Sequence, residues 1–184
     1  MKIIVTKKRK NHMEIHRNDF LVDYNKLIRE FEVSEEASKL DKEFISIQYD
    51  FKRIVGISGV IDVNKYDDVV YAKRIGRKIY SKFVRNITEG IETSKVIFIL
   101  RKNIDREYFL ITMFPGEMSE REPEDKNINT FEELMQSLNF WKNKAFIWKE
   151  KIIDLDTITY ECPYKSLKRK VKISNFNISQ PLKI

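Results

Sequence analysis

The sequence predicts an α+β fold, a mainly antiparallel sheet with helices packed on one face. Three observations carry this. Two long apolar runs, "SKVIFILRK" (94–102) and "REYFLITMF" (106–114), are joined by three residues. A capped, amphipathic helix follows at 130–143. Most of the remaining strand candidates are linked by short connections, which favours antiparallel neighbours. The 184 residues suit one domain, 1–184, with basic arms at 1–20 and 165–184.

Taken in order, "KIIVT" reads as a short strand and "KKRKNH" as a basic turn or arm. "VDYNKLIREF" (22–31) places Tyr24, Leu27, Ile28 and Phe31 at helical spacing. Asp23 suits the positive end of that helix, which ends before Ser34. "EFISIQYDF" (43–51) alternates in the manner of a strand. "RIVGISGVIDV" (53–63) is a second strand, with Gly56 and Gly59 marking a bulge or a close backbone approach. "DDVVYAKR" (67–74) is a third.

The two apolar runs form a hairpin turned by Asn103 and Asp105, and continuous apolarity places both strands centrally in the sheet. "PGEMSEREPEDKNIN" (115–129) is a long polar loop with five acids and two bases. Thr130 and Glu133 form a capping box, each satisfying a free amide at the helix start. Phe131, Leu134, Met135, Leu138 and Trp141 make that helix's apolar stripe, so Trp141, like Trp148, reads as a core anchor. "AFIW" and "KIIDLDTITYE" are strand candidates, and the basic tail pairs at an edge or runs loosely.

Charge narrows function. There are 35 basic and 28 acidic side chains, a formal net charge of +7. That excess favours a polyanionic partner, RNA or another nucleic acid, and equally fits a Lys-rich proteome. The single cysteine, Cys162, excludes an intrachain disulfide and a Cys-rich zinc site. No signal peptide and no apolar run near the ~20 residues of a membrane span are visible, so the expected location is the cytoplasm, with no membrane partner. No Gly-rich phosphate loop and no Gly-x-Ser-x-Gly elbow occurs. No cofactor and no metal are expected.

"AKRIGRKIYSKFVRN" (72–86) holds six basic residues and no acid. Read as strand–turn–strand, it turns at Gly76. A helix would have to absorb that glycine at about 1 kcal/mol relative to alanine. Arg74, Arg77, Lys78, Lys82 and Arg85 gather cations for phosphates, and Tyr71 and Tyr80 offer rings for bases. The opposing reading is a Lys/Arg face that keeps a sheet soluble. Ser81, Thr93 and Thr112 are hydroxyls fit to orient a phosphate or to satisfy local backbone.

"KRIGRKIYSKFVRN", "TSKVIFILRK", "YFLITMFPGE…EPEDKN" and "FWKNKAFIW" together resemble a family of small, poorly characterised proteins of bacteria and their phages, over roughly residues 67–148. The family is in turn similar to ribonuclease folds of the barnase–colicin–RelE type. The resemblance implies a toxin-like or phage-derived RNA-binding protein that cleaves RNA without metal. Where the family pattern has histidines, this chain has Tyr80 and Lys144. That departure puts His-based cleavage at those positions in doubt. A RelE-like alternative uses Lys, Arg and Tyr, which here makes Tyr80, Lys144 and Lys82 the catalytic candidates. Arg74, Arg77, Lys78, Ser81, Arg85, Thr93 and Thr112 are then the nucleic-acid contacts. A non-enzymatic alternative is an accessory protein whose basic face binds an inhibitor or host protein.

Two weaker motifs remain. "HMEIH" sets His12 and His16 four residues apart, a helical spacing able to hold a metal but without the metalloprotease order. "EDK" (124–126) matches a fragment of metal-dependent nucleases that occurs easily by chance.

Overall fold

A computed structural model describes residues 1–14, 16–165 and 167. In chain order the elements are β1 (Lys2–Ile4), α1 (Lys7–Met13), α2 (Tyr24–Glu32), α3 (Glu35–Ser38), β2 (Phe44–Asp50), β3 (Gly56–Ser58), β4 (Val60–Asp62), β5 (Val69–Arg74) and β6 (Tyr80–Val84). Then follow β7 (Ile91–Thr93), β8 (Lys95–Ile104), β9 (Glu107–Pro115), α4 (Phe131–Asn143), β10 (Lys144–Ile147) and β11 (Ile153–Thr159). Single 3-10 turns occupy Arg17–Asp19 and Glu150–Ile152. The α+β class holds, with most strand pairs antiparallel.

The chain, whose length suits one domain, organises as two compact units. The first comprises Met1–Val60 and Gly90–Met118, the second Ile61–Glu89 and Ser119–Ile184.

The first unit is built on a sheet in the order β1-β9-β8-β2. The β8–β9 hairpin is central, as its continuous apolar runs require. The alternation of β2 puts Ile45, Ile47 and Tyr49 toward the core, while Phe44 and Ser46 stay exposed. α2 buries Leu27, Ile28 and Phe31, and Phe31 stacks on Phe98 of β8 at 4.3 Å between centroids. Full burial of one such ring is worth about 2–3 kcal/mol. Asp23 caps α2 by accepting from the Asn25 amide at 3.0 Å.

The basic N-terminal stretch is not an arm. Lys7–Met13 is helical because Thr6 accepts the Arg9 amide and Met13, fully buried, anchors the far end. Residues 53–63 do not form one strand. They divide at Gly59 into β3, which pairs with β7, and β4, which belongs to the other sheet. Gly56 is the close approach: a Cβ there would stand 2.4 Å from Pro115 Cγ and 2.6 Å from the Asp19 carbonyl oxygen. Gly59 has open space around it.

The second unit holds a sheet in the order β11-β5-β6-β10-β4. Residues 72–86 are strand–turn–strand: β5 and β6 pair antiparallel, Ala72 opposite Ser81, across a turn where Gly76 takes φ +78°. β10 runs parallel to β6, a pairing the connecting helix α4 permits. The capping box of Thr130 and Glu133 opens α4, whose Leu134, Leu138 and Trp141 are buried. The expected basic tail lies outside the described residues apart from Lys165 and Leu167.

Candidate nucleic-acid interface

Five of the six cations of 72–86 are answered where they stand. Arg74, at the end of β5, lies over the Phe146 ring at 4.9 Å and forms an ion pair with Glu122. Arg77 reaches the same carboxylate oxygen at 3.4 Å. Glu122 comes from the 115–129 loop and is only 6% exposed. That loop is held down by α4: the Trp141 indole donates to the Glu120 and Arg121 carbonyls, both at 3.1 Å, and Ser137 donates to Arg121 at 2.6 Å. Glu124 accepts the Tyr80 amide at 2.8 Å. Two acids of one loop therefore occupy the ground that a phosphate would need beside this turn.

The catalytic candidates fare similarly. Lys82, a catalytic candidate from the sequence, lies on β6 only 6% exposed, and its ammonium donates to the carbonyls of Trp141 at 3.1 Å and Lys142 at 2.8 Å. These are last-turn carbonyls of α4, which lack helical partners, and the positive charge also meets the negative helix end. Burial pushes the Lys82 ammonium below its usual range. Lys82 is thus a helix cap built from a distant strand, and no phosphate reaches it. Lys144 pairs with Asp62 at 2.9 Å. Tyr80 has its ring under Lys73 Nζ at 5.0 Å, and its carbonyl accepts from the Tyr164 hydroxyl at 3.0 Å. These three groups are committed to separate partners.

The remaining candidates are scattered. Arg85 donates to the Tyr160 hydroxyl at 3.2 Å, lies over Trp148 at 5.4 Å, and stands 3.9 Å from Asp68. Ser81 is fully buried and its Oγ has no hydrogen-bond partner among the described residues. Lys78 is exposed in the turn. Thr93 and Thr112 belong to the first unit, not to the one carrying the basic segment. Thr93 accepts the Lys95 amide at 3.1 Å, a local backbone role.

Thr112 differs. On β9, its Oγ1 is 3.3 Å from Nε2 of His12. The His16 ring lies edge-on to His12, with centroids 5.5 Å apart. Nδ1 of His16 is 3.6 Å from an Asp19 oxygen, and Phe114 stands 6.1 Å away. Burial, then the charges of His16 and Arg9, hold the His12 imidazole below its ordinary value. The chain has two histidines, and they meet here. The spacing in "HMEIH" signalled their shared face, but the metal reading does not carry over. Among the described residues, no group of three or more His, Cys, Asp or Glu is placed to hold a metal ion.

The cations beside this pair have no such answer. Among the described residues, Lys7, Lys8, Arg9 and Lys10 make no ion pair, whereas the neighbouring Lys2 and Arg17 are matched to Glu107 and Glu14. Lys7, Lys8 and Lys10 are exposed, and Arg9 is half-buried. No helix of the described residues is long and apolar enough to cross a membrane. Comparison with protein-family models, with curated proteins and with solved structures returns no match.

Proposed function

We propose that the protein binds RNA through α1. The observation that carries this is the contrast in compensation: four consecutive cations of α1 lack acidic partners among the described residues, while Arg74, Arg77, Arg85 and Lys144 have them. An unpaired cation keeps its full attraction for a phosphate, whereas a paired one must first give up its carboxylate. Lys8, Arg9 and His12 share one side of the helix, one turn apart, so a single strand lying along that side meets several donors. RNA also fits the family resemblance of residues 67–148.

The test is the salt dependence of binding to a single-stranded RNA. Neutralising the two phosphates that Lys8 and Arg9 meet gives a log–log slope of about −1.4, so affinity falls about sevenfold between about 50 and about 200 mM salt. Replacing Lys7, Lys8, Arg9 and Lys10 together by glutamine, a good helix former, flattens that slope toward zero. The same replacement at Arg77 and Lys144, both ion-paired, leaves it unchanged. A slope untouched by the α1 substitutions refutes the assignment. Binding to an acidic protein with none to RNA moves the function to the accessory-protein reading.

A further inference from the structure

We infer that the open edge of β2 pairs with the β2 edge of a second copy of this chain, antiparallel about a two-fold axis at Ser46, so that the sheet of the first unit continues into that of its copy. This is independent of RNA binding: it uses a different element and requires no RNA.

Among the described residues β2 has a neighbour on one side only, β8, in the order β1-β9-β8-β2. The hydrogen bonds at its two ends show which backbone groups are left over. The Lys102 amide donates to the Glu43 carbonyl at 2.7 Å, and the Phe51 amide donates to the Ser94 carbonyl at 2.8 Å. The register between these points is unbroken, so Ile45, Ile47 and Tyr49 exchange bonds with β8. The amides and carbonyls of Phe44, Ser46, Gln48 and Asp50 point away from it. Natural sheets guard such an edge with shortness, proline, a bulge or charge. The opposite edge, β1, has only 3 residues. β2 has 7, with no proline and no bulge against β8, and the one charge among its side chains is Asp50, at the end. Phe44 at the other end is 60% exposed.

The strand complements itself in one register. With Ser46 opposite Ser46 of the second copy, Phe44 faces Gln48 and Lys42 faces Asp50, and the symmetry makes each contact twice. The Gln48 side-chain oxygen accepts the Met118 amide at 2.8 Å, and the Ser46 hydroxyl donates to the Met118 sulfur at 3.4 Å. Met118, 43% exposed, is thereby held over this face, where the Phe44 ring of the second copy meets its thioether. Lys42 is exposed and brings a second cation to Asp50, which already pairs with Lys52 at 2.9 Å. Moving the axis to Ile47 would set Phe44 against Asp50 and Lys42 against Lys52, so charge and apolarity both select the register at Ser46.

The experiment is sedimentation equilibrium of the full chain without RNA. An edge contact belongs to the small, weak class of interfaces, so the mass moves reversibly from 22.1 kDa toward twice that between about 1 and about 200 µM protein. Ser46→Pro removes an outward amide that β8 does not use, and Phe44→Glu removes the apolar contact. Each weakens association about tenfold or more, with the circular dichroism melting curve close to the parent's. In a Cys162→Ser background, mild oxidation links Ser46→Cys into a disulfide dimer, because directly opposed residues hold their Cα atoms about 5.5 Å apart. Gln48→Cys, which faces Phe44, does not link. A monomer throughout the range overturns the inference and leaves the edge to a strand of a different protein. A dimer indifferent to both Ser46→Pro and Phe44→Glu, or linked through Gln48→Cys and not Ser46→Cys, overturns it as well.

Discussion

Replacing Lys82 by methionine separates the cap from the phosphate ligand. Methionine keeps the length and the apolar stem, so packing changes little. What is lost is the ammonium and its hydrogen bonds to the Trp141 and Lys142 carbonyls. A charge-assisted hydrogen bond contributes about 1.5–3 kcal/mol, and a buried carbonyl left alone costs about 1–3 kcal/mol. Relief from burying a charge offsets part of this. The net destabilisation is about 2–3 kcal/mol, seen as a fall in Tm of about 5–10 °C. Urea denaturation of both proteins measures it, and Lys82→Gln, which keeps neutral amide N–H donors without the charge, lies between them. A second signature is pH. The folded-state pKa of Lys82 lies below the ordinary 10.5. Between that depressed value and 10.5 the unfolded chain binds more protons, so this residue's contribution to stability rises with pH in that window. Lys82→Met removes that rise. RNA affinity is unchanged in the variant. Wild-type stability together with a loss of affinity of about tenfold, or about 1.4 kcal/mol, refutes the cap and returns Lys82 to the phosphates.

Glu122→Gln leaves the Arg74 guanidinium, whose side chain is 20% exposed, without its counter-charge, and costs about 3 kcal/mol by chemical denaturation. Arg77→Ala, at a side chain 53% exposed, costs less than about 1 kcal/mol. Equal costs would contradict the burial argument. Gly56→Ala drives a methyl into Pro115 and the Asp19 carbonyl and destabilises by about 1–3 kcal/mol. Gly59→Ala meets nothing, and a comparable loss there would show that space is not the cause. Burial raises the Tyr164 hydroxyl above its ordinary 10.0. Its stabilising share is therefore complete below pH 10 and is lost as pH rises through the raised value. Tyr164→Phe costs roughly 1 kcal/mol near pH 8, through the hydrogen bond to the Tyr80 carbonyl, and shows a shallower alkaline loss.

What the sequence made legible was decided by distance along the chain. The box of Thr130 and Glu133, the turn at Gly76, the acid at the start of α2 and the paired runs of β8 and β9 are all local, and each occurs as read. Gly56 was legible as a close approach because a glycine inside a strand pattern has few other uses. Gly59 gave the same signal but marks the point where a single apparent strand divides between two sheets. α1 was misread because a run of like charges resembles an arm. Its helix is set by a cap at Thr6 and by Met13, whose partners lie in the core.

The candidate site was hidden for a related reason. A basic run announces itself, but its acids do not. The partner of Arg74 is 48 residues away and the carbonyls that take Lys82 are 59 and 60 away. Read alone, the richest cluster of cations looked like the binding face, and folding spends most of it on internal contacts. The stretch with the weaker claim, "KKRKNH", keeps its charge because no acid folds onto it among the described residues. His12 then gains a hydroxyl from a residue 100 positions on. Charge density along a chain therefore ranks sites poorly. The useful quantity is charge left over after the fold has paired what it can, and four consecutive residues of that remainder, Lys7–Lys10, stand on α1.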